Sequence, residues 1–365
     1  MSTTVLSNNG LSSMDWKQVV YNQIVQRKSD ELDATSAKLQ DAFESKSAYY
    51  DTKSNQYAKV KASISNAEIA VDNGQEGVSS VKDMLLQMRI VVGLYGEADT
   101  DEAKAALKTQ FDDYVDQINR TADTYAPAYN PIGNVVSTDW TPNAISFTSD
   151  VEGTETSVGG TYIGSDFYIA SDDGTTWVPD PGSSSITQYV NYNTQNEHDS
   201  TKGEGFASTR TGLRLDSYDP DTGRITVTVD PENADTQVTG TLKTGGLGVM
   251  QSWFYDLDSE EGRTAATDAI TKADNTVAAA EGQLGGMAVV VNAAGTKVDK
   301  SLDALNGDRS DAMKDQLSAN YAAQVKQQQE LQVLKQTFEN MASQQSYYTS
   351  IFANSGSSPL FDFTS

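Results

Sequence analysis

The stretch from Ile64 to Asn130 decides the fold. Its first piece opens Ile64-Ser-Asn-Ala-Glu68, passes Glu76-Gly77 and reaches Gln87-Met88-Arg89. Apolar residues fall at Ile64, Ala67, Val71, Val78, Val81, Leu85, Met88 and Val92. Gaps of mostly three, four and seven residues put them on one stripe of a long helix. The second piece places Leu107, Phe111, Tyr114, Ile118 and Ala122 at the same spacing. Between the pieces lie Gly93-Leu-Tyr-Gly96 and Asp99-Thr-Asp-Glu102. Asp99 with Glu102 three residues on has the pattern of a capping box, so the second helix is expected to start from Asp99. The stretch reads as a helical hairpin, each helix with one apolar face.

The helical pattern extends outward on both sides. It begins at Trp16 and continues through Val19, Val20, Ile24, Leu32, Leu39 and Phe43. A seven-residue ladder follows at Phe43, Tyr50, Tyr57, Ile64, Val71, Val78, Leu85 and Val92. No proline lies between Met1 and Ala126, so nothing forces the helix to stop; Gly74 and Gly77 are the weak points where it could kink. Beyond Thr264 a second ladder runs Ile270, Val277, Leu284, Val291, Val298 and Leu305. Ala273, Ala280, Met287 and Ala294 sit three residues after successive rungs, which makes an a/d seam. Asn306-Gly307 is expected to interrupt it. A last, glutamine-rich segment carries Leu317, Tyr321, Val325, Leu331, Leu334, Phe338 and Met341, and reaches Tyr348 and Phe352. Helices this long need a partner, and the economical packing sets N-terminal helices against C-terminal ones. The ladder residues are those expected to pack helix against helix or subunit against subunit.

Pro127 and Pro131 end the first helical half. From Ala128 to Val249 short alternating runs appear at Thr161-Tyr-Ile163, Phe167-Tyr-Ile-Ala170, Ile186-Thr-Gln-Tyr-Val190 and Ile225-Thr-Val-Thr-Val229. Asp172-Asp-Gly174, Asp180-Pro-Gly182 and Asp219-Pro-Asp-Thr-Gly223 separate them as turns. The expected fold is therefore mainly α, a coiled-coil-like bundle of long terminal helices with a small β-rich domain inserted in the middle.

With 51 acidic and 26 basic residues the formal charge is −25. No basic cluster is available to hold phosphates, which argues against nucleic acid and anionic membranes as partners. The 365 residues contain no cysteine, so disulfide and thiolate chemistry are excluded. No run of about 18 apolar residues is apparent, so no membrane insertion is expected. Met1 to Asn9 lacks the basic start and apolar block of a secretory signal peptide.

Motifs with chemical potential all have plainer readings. His198, the sole histidine, sits in Glu197-His-Asp199 and reads as polar surface. Asp219, Asp221 and Gly223 resemble the start of a calcium loop, but the later ligands are not at the required offsets, and a hairpin turn fits better. Gly245-Gly-Leu-Gly248 has no Lys-Ser/Thr after it, so a hinge or a close-packed turn is expected rather than a phosphate cradle. Asn119-Arg-Thr121 matches a glycosylation sequon but lies within a helical core pattern. No catalytic, cofactor or metal constellation emerges, and a structural protein is expected rather than an enzyme.

The spelling of one segment adds to the periodicity. Gln110-Phe111, Gln117-Ile-Asn-Arg120, Ala122, Thr124 and Tyr129-Asn130 resemble the conserved helical core of the flagellin family, E-F-x-x-L-x-x-Q-I-D-R-I-A-x-x-T-x-F-N-G. Glu76-Gly77 and Gln87-Met88-Arg89 are similar to that family's E-G-A-L and Q-R-M-R-E-L. The match covers about sixty residues and departs from the pattern at Glu44-Ser-Lys-Ser-Ala-Tyr-Tyr50 and Ile90. The resemblance implies a subunit that polymerises into an extracellular flagellar filament. Residues 1–44 with 310–365 would form its inner tube, 45–127 with 262–309 a helical core layer, and 128–261 an acidic, surface-exposed outer domain. It also implies export through the flagellar channel without a cleaved signal peptide. Its partners would be further copies of itself, the export machinery, an export chaperone and a cap protein. The related hook–filament junction protein fits the same features. A secreted adhesin with a helical stalk is the reading from another class.

Overall fold

The computed structural model describes residues 13–136, 139–180, 184–190, 192, 203–230 and 236–354. Three helices carry the α part: α1 (Ser13–Glu97), α2 (Asp101–Asp123) and α3 (Glu260–Asn354). Strands occupy the interval between α2 and α3, from Asn134 to Thr244. The chain is thus mainly helical, with long N- and C-terminal helices and a β-rich insertion, as the ladders predict. It divides into two compact units, residues 1–55 with 301–365, and residues 56–300.

In the unit of residues 56–300, helices and strands share one contiguous core. The ladder rungs Ile64, Val71, Val78, Leu85 and Val92 of α1 are buried there, as are Ile270, Val277, Leu284, Val291 and Val298 of α3. Ion pairs Lys61–Asp299, Lys82–Glu281 and Arg89–Asp274 flank the seam and fix α1 antiparallel to α3. α2 adds Phe111, Val115, Ile118 and Ala122 to the same core.

Neither Gly74 and Gly77 in α1 nor Gly307 in α3 breaks its helix. At Gly74 an added Cβ would lie 2.7 Å from Pro131 Cγ and 2.9 Å from Leu284 Cδ2; at Gly77 it would meet Ile132. These glycines let the start of the β-rich segment lie against α1, and their backbone cost is offset by that contact. Gly307 meets no such neighbour, yet α3 runs through it, because one glycine costs a helix only about 1 kcal/mol. The cap of α2 also differs from the expected one. Thr100, not Asp99, is the N-cap, and its Oγ accepts from the Ala103 N–H at 3.2 Å.

The main sheet has seven antiparallel strands in the order β8-β7-β6-β5-β11-β10-β9. In chain order these are β5 (Phe167–Ser171), β6 (Thr176–Pro179), β7 (Ser185–Tyr189), β8 (Gly205–Ser208), β9 (Leu213–Asp219), β10 (Arg224–Val229) and β11 (Thr236–Thr244). The turns at Gly174 and Gly223 use positive φ values of 88° and 70°, which only glycine adopts freely. Two smaller hairpins precede the sheet: β1 (Asn134–Val136) with β2 (Thr141–Pro142), and β3 (Ala144–Thr148) with β4 (Glu155–Gly159). The Thr148 N–H donates to Ser63 Oγ at 2.9 Å and ties β3 to α1. Thr161–Ile163, expected as a strand, is not one. Its N–H groups at Thr161 and Ile163 donate to the Pro131 and Ile132 carbonyls of a neighbouring loop instead.

Residues 277–294 of α3 form an 18-residue window of mean hydropathy 1.2, apolar enough by length and composition to cross a membrane. Its alanines and valines raise the mean, and 28% of the window is buried in the core.

Candidate assembly surface

The paired terminal segments of α1 and α3 form the other unit. Tyr21 and Phe338 meet edge to face with ring centroids 5.3 Å apart. Lys28 Nζ lies 2.8 Å from Glu31 and 3.0 Å from Glu330, and the hydrogen bonds it donates to these two carboxylates raise its pKa above the ordinary value. Gln316 Nε2 donates to Gln40 Oε1 at 3.0 Å, Gln327 Nε2 donates to the Lys28 carbonyl at 3.3 Å, and Arg309 pairs with Asp51 at 3.0 Å. These contacts order the two segments antiparallel.

What this pair lacks is a core. Among the described residues of 13–55 and 301–354, not one side chain is buried. Val20, Ile24, Leu32, Leu39, Phe43 and Tyr50 of α1, with Leu331, Leu334 and Phe338 of α3, stay half-buried. Trp16 and Tyr348 are 54% and 59% exposed. The side chain of Phe352 lies outside the described residues. The contrast with the rest of the ladder is sharp: Tyr57 is half-buried, while Ile64, Leu85, Phe111, Ile118, Ile270, Val277, Leu284 and Val291 are all buried within one chain.

The apolar residues of the last segment do not all face α1. Its inner side is largely polar or small: between 312 and 327 the half-covered positions are Ala312, Gln316, Ala319, Asn320, Ala323, Val325 and Gln327. Met313, Leu317 and Tyr321 lie four residues apart on another side and are 63%, 72% and 69% exposed. A two-helix pair has a single seam, so a second stripe has nothing within the pair to cover it. Val333 and Met341 are likewise 63% and 40% exposed. Sequence reasoning placed Leu317, Tyr321 and Met341 on one stripe with Leu331 and Leu334. The seam polarity that separates them is visible only in the pairing.

The remaining motifs serve the fold. The Asn119 side chain accepts from the Ser165 N–H at 2.5 Å, so the sequon asparagine is a tether between α2 and the loop before β5. Gly245 and Leu247 donate to the Asp166 and Gly164 carbonyls, and Gly246 sits at φ 61° against Gly164, which makes this a close-packed turn. Asp219 accepts from the Asp221 N–H at 3.0 Å and the Thr222 hydroxyl at 2.7 Å, closing the β9–β10 hairpin. His198 lies outside the described residues. Among the described residues no group of three acids or histidines is placed to hold a metal ion.

No protein-family model matches the chain, and no curated protein matches it. Among solved structures, the crystal structure of Xanthomonas campestris FlgL is similar over 76% of this chain and 99% of that chain, at 11% identity and a TM-score of 0.34. A likeness that loose carries no weight for function.

Proposed function

We propose that the chain is a structural protein, not an enzyme. In this reading it polymerises through its terminal helices into an extracellular flagellar filament that serves motility. The observation that carries this reading is the coreless terminal pair: two long helices with apolar stripes and no buried side chain among their described residues. The flagellin-like spelling from Gln110 to Asn130 supports the flagellar assignment. Ordering costs about 1–2 kcal/mol per residue, and each buried CH₂ returns about 0.8 kcal/mol. A single chain offers these helices one half-covered seam. Neighbouring copies would cover Trp16, Leu317, Tyr321 and Tyr348, so assembly and final ordering of the ends would occur together. Delivery would use the flagellar export machinery, an export chaperone and a cap protein.

The test is negative-stain electron microscopy of the purified full chain, seeded with short fragments, beside the double variant Ile24→Asp, Leu334→Asp. Long filaments from the parent and none from the variant support the reading and locate the contacts. A parent that stops at short oligomers points instead to a hook–filament junction protein, which would not grow long filaments alone. A parent that stays monomeric at every salt and seed concentration overturns the assembly reading.

A further inference from the structure

We propose that the segment after α3 folds back onto the flank of its own helix, seats Leu360, Phe361 and Phe363 there, and so caps the terminal pair against premature contact with other copies. The flank has two parts. One is a groove of about 510 Å³ between the paired helices, lined by Ile24 and Lys28 of α1 and by Lys326, Val333, Leu334 and Thr337 of α3. The other continues from its rim. Val333, Thr337, Met341, Tyr348 and Ile351 recur at gaps of four, four, seven and three residues, which keeps them on one side of α3. Val333, Met341, Tyr348 and Ile351 are 63%, 40%, 59% and 44% exposed, beside the seam that holds Tyr21 and Phe338 together.

The occupant follows from the sequence and from reach. Residues 355–365 lie outside the described residues. Their sequence is a run of turn formers, Ser355-Gly-Ser-Ser-Pro359, followed by Leu360-Phe-Asp-Phe363, with three large apolar side chains in four positions. Pro359 has no N–H with which to continue a helix, so the composition reads as a reversal. Leu360 and Phe363 are six and nine residues past Asn354, a span of about 20 to 32 Å in extended chain. Along the helix, Met341, Thr337 and Leu334 lie about 20, 26 and 30 Å before Asn354. The apolar cluster therefore reaches Met341 and the nearer end of the groove. A short linker presents its ligand at an effective concentration of about 1 mM, some hundredfold above a second copy at about 10 μM. In dilute solution the chain's own tail thus outcompetes another molecule for this flank. The docking itself stands apart from the assembly reading above; its consequence rests on that reading. Neighbouring copies would need Leu334 and Tyr348, and a tail docked nine-tenths of the time raises the concentration at which they associate about tenfold.

The chain has no cysteine, so spin labels go cleanly onto the full chain carrying Gln336→Cys and Asp362→Cys. The two sites would stand about 39 Å apart if the residues after Asn354 merely prolonged the helix, and under about 20 Å if they fold back beside it. Pulsed electron spin resonance on the monomer should give the short distance, and Phe361→Ser with Phe363→Ser should abolish it. A long distance, or a short one that survives both serines, overturns the docking. A short distance that disappears on dilution with excess unlabelled chain places the tail on a second copy and overturns it too. Light scattering of seeded, unlabelled protein then tests the cap. The double serine variant should assemble at a concentration about tenfold below the parent's. An unchanged threshold, or a higher one, overturns the cap even where the short distance upholds the docking. If neither protein assembles at any concentration, the assembly reading fails and the cap falls with it, while the spin-label distance still decides whether the tail docks.

Discussion

Asp112 on α2 accepts two hydrogen bonds from Ser252, 140 residues later in the chain: one from the backbone N–H at 2.6 Å and one from the hydroxyl at 2.9 Å. The carboxylate is 2% exposed, and this clamp joins α2 to the segment that leads back into α3. Arg210, which pairs with Asp113 and with Asp116, stands close enough to favour the charged form, and Asp116 opposes it. Burial outweighs the hydrogen bonds and the arginine, and pushes the Asp112 pKa up to about 6.

A pH dependence follows from that shift. The folded chain binds the Asp112 proton more tightly than the unfolded chain, whose aspartates titrate near 4. The stabilisation from protonated Asp112 is therefore complete below about pH 4 and is lost as pH rises through about 6. Asp112→Asn keeps an acceptor for the Ser252 N–H and an amide for its hydroxyl, and removes the titration. Relative to the parent, the variant should gain on the order of 3 kcal/mol between pH 4 and pH 7. Urea midpoints of both proteins across that range measure it. A parent–variant difference that stays flat with pH would show that burial does not govern this carboxyl group.

Helical glycines should respond in opposite directions. Gly74→Ala must push a Cβ against the Pro131 ring, which cannot swing away, and Leu284. The expected cost is about 1–3 kcal/mol from overpacking. Gly282 has nothing within 4 Å of its added Cβ. Gly282→Ala should stabilise by about 0.5–1 kcal/mol, since alanine is the better helix former. Thermal melts followed by circular dichroism decide both; a stabilised Gly74→Ala would mean that the close approach of Pro131 relaxes freely.

These glycines also mark where the sequence stops being legible. The seven-residue ladders state plainly that long helices pair, and the absence of proline to Ala126 lets α1 run its full length. They do not state what lies beside Gly74 and Gly77, because Pro131 and Ile132 reach α1 through a tertiary contact. β9 and β11 were missed for a different reason. On the first, Leu213-Arg-Leu-Asp216 alternates, but a bulge at Asp216 shifts the register before Tyr218; on the second, Gly240 takes an inward position with no apolar side chain. The ladder itself reads identically at Tyr50 and at Leu85, yet only Leu85 is buried, because it lies in the core that helices and strands share.

The start of α2 separates two residues that a motif reading treats as one signal. Thr100 satisfies the Ala103 N–H with its side chain. Thr100→Ala should therefore cost about 1 kcal/mol of stability. Asp99 makes no such cap, and Asp99→Ala should stay within about 0.5 kcal/mol of the parent. The pair of urea midpoints checks the assignment, and reversed magnitudes would return the cap to Asp99.

Burial also sets an order for hydrogen exchange. In the monomer, amides of α1 around Leu85 and of α3 around Leu284 should exchange only through global opening, since their side chains lie in the shared core. Amides at 20–50 and 312–340 belong to helices whose described side chains are never buried, so their opening costs little and their exchange should be faster by several orders of magnitude. If copies assemble as proposed, those stripes become covered, and the same amides in sedimented polymer should approach the protection of the core. Mass-resolved exchange on monomer and polymer reads both states. Terminal helices already as protected as the core in the monomer would mean that the half-covered seam is sufficient by itself, and would remove the thermodynamic reason for copies to associate.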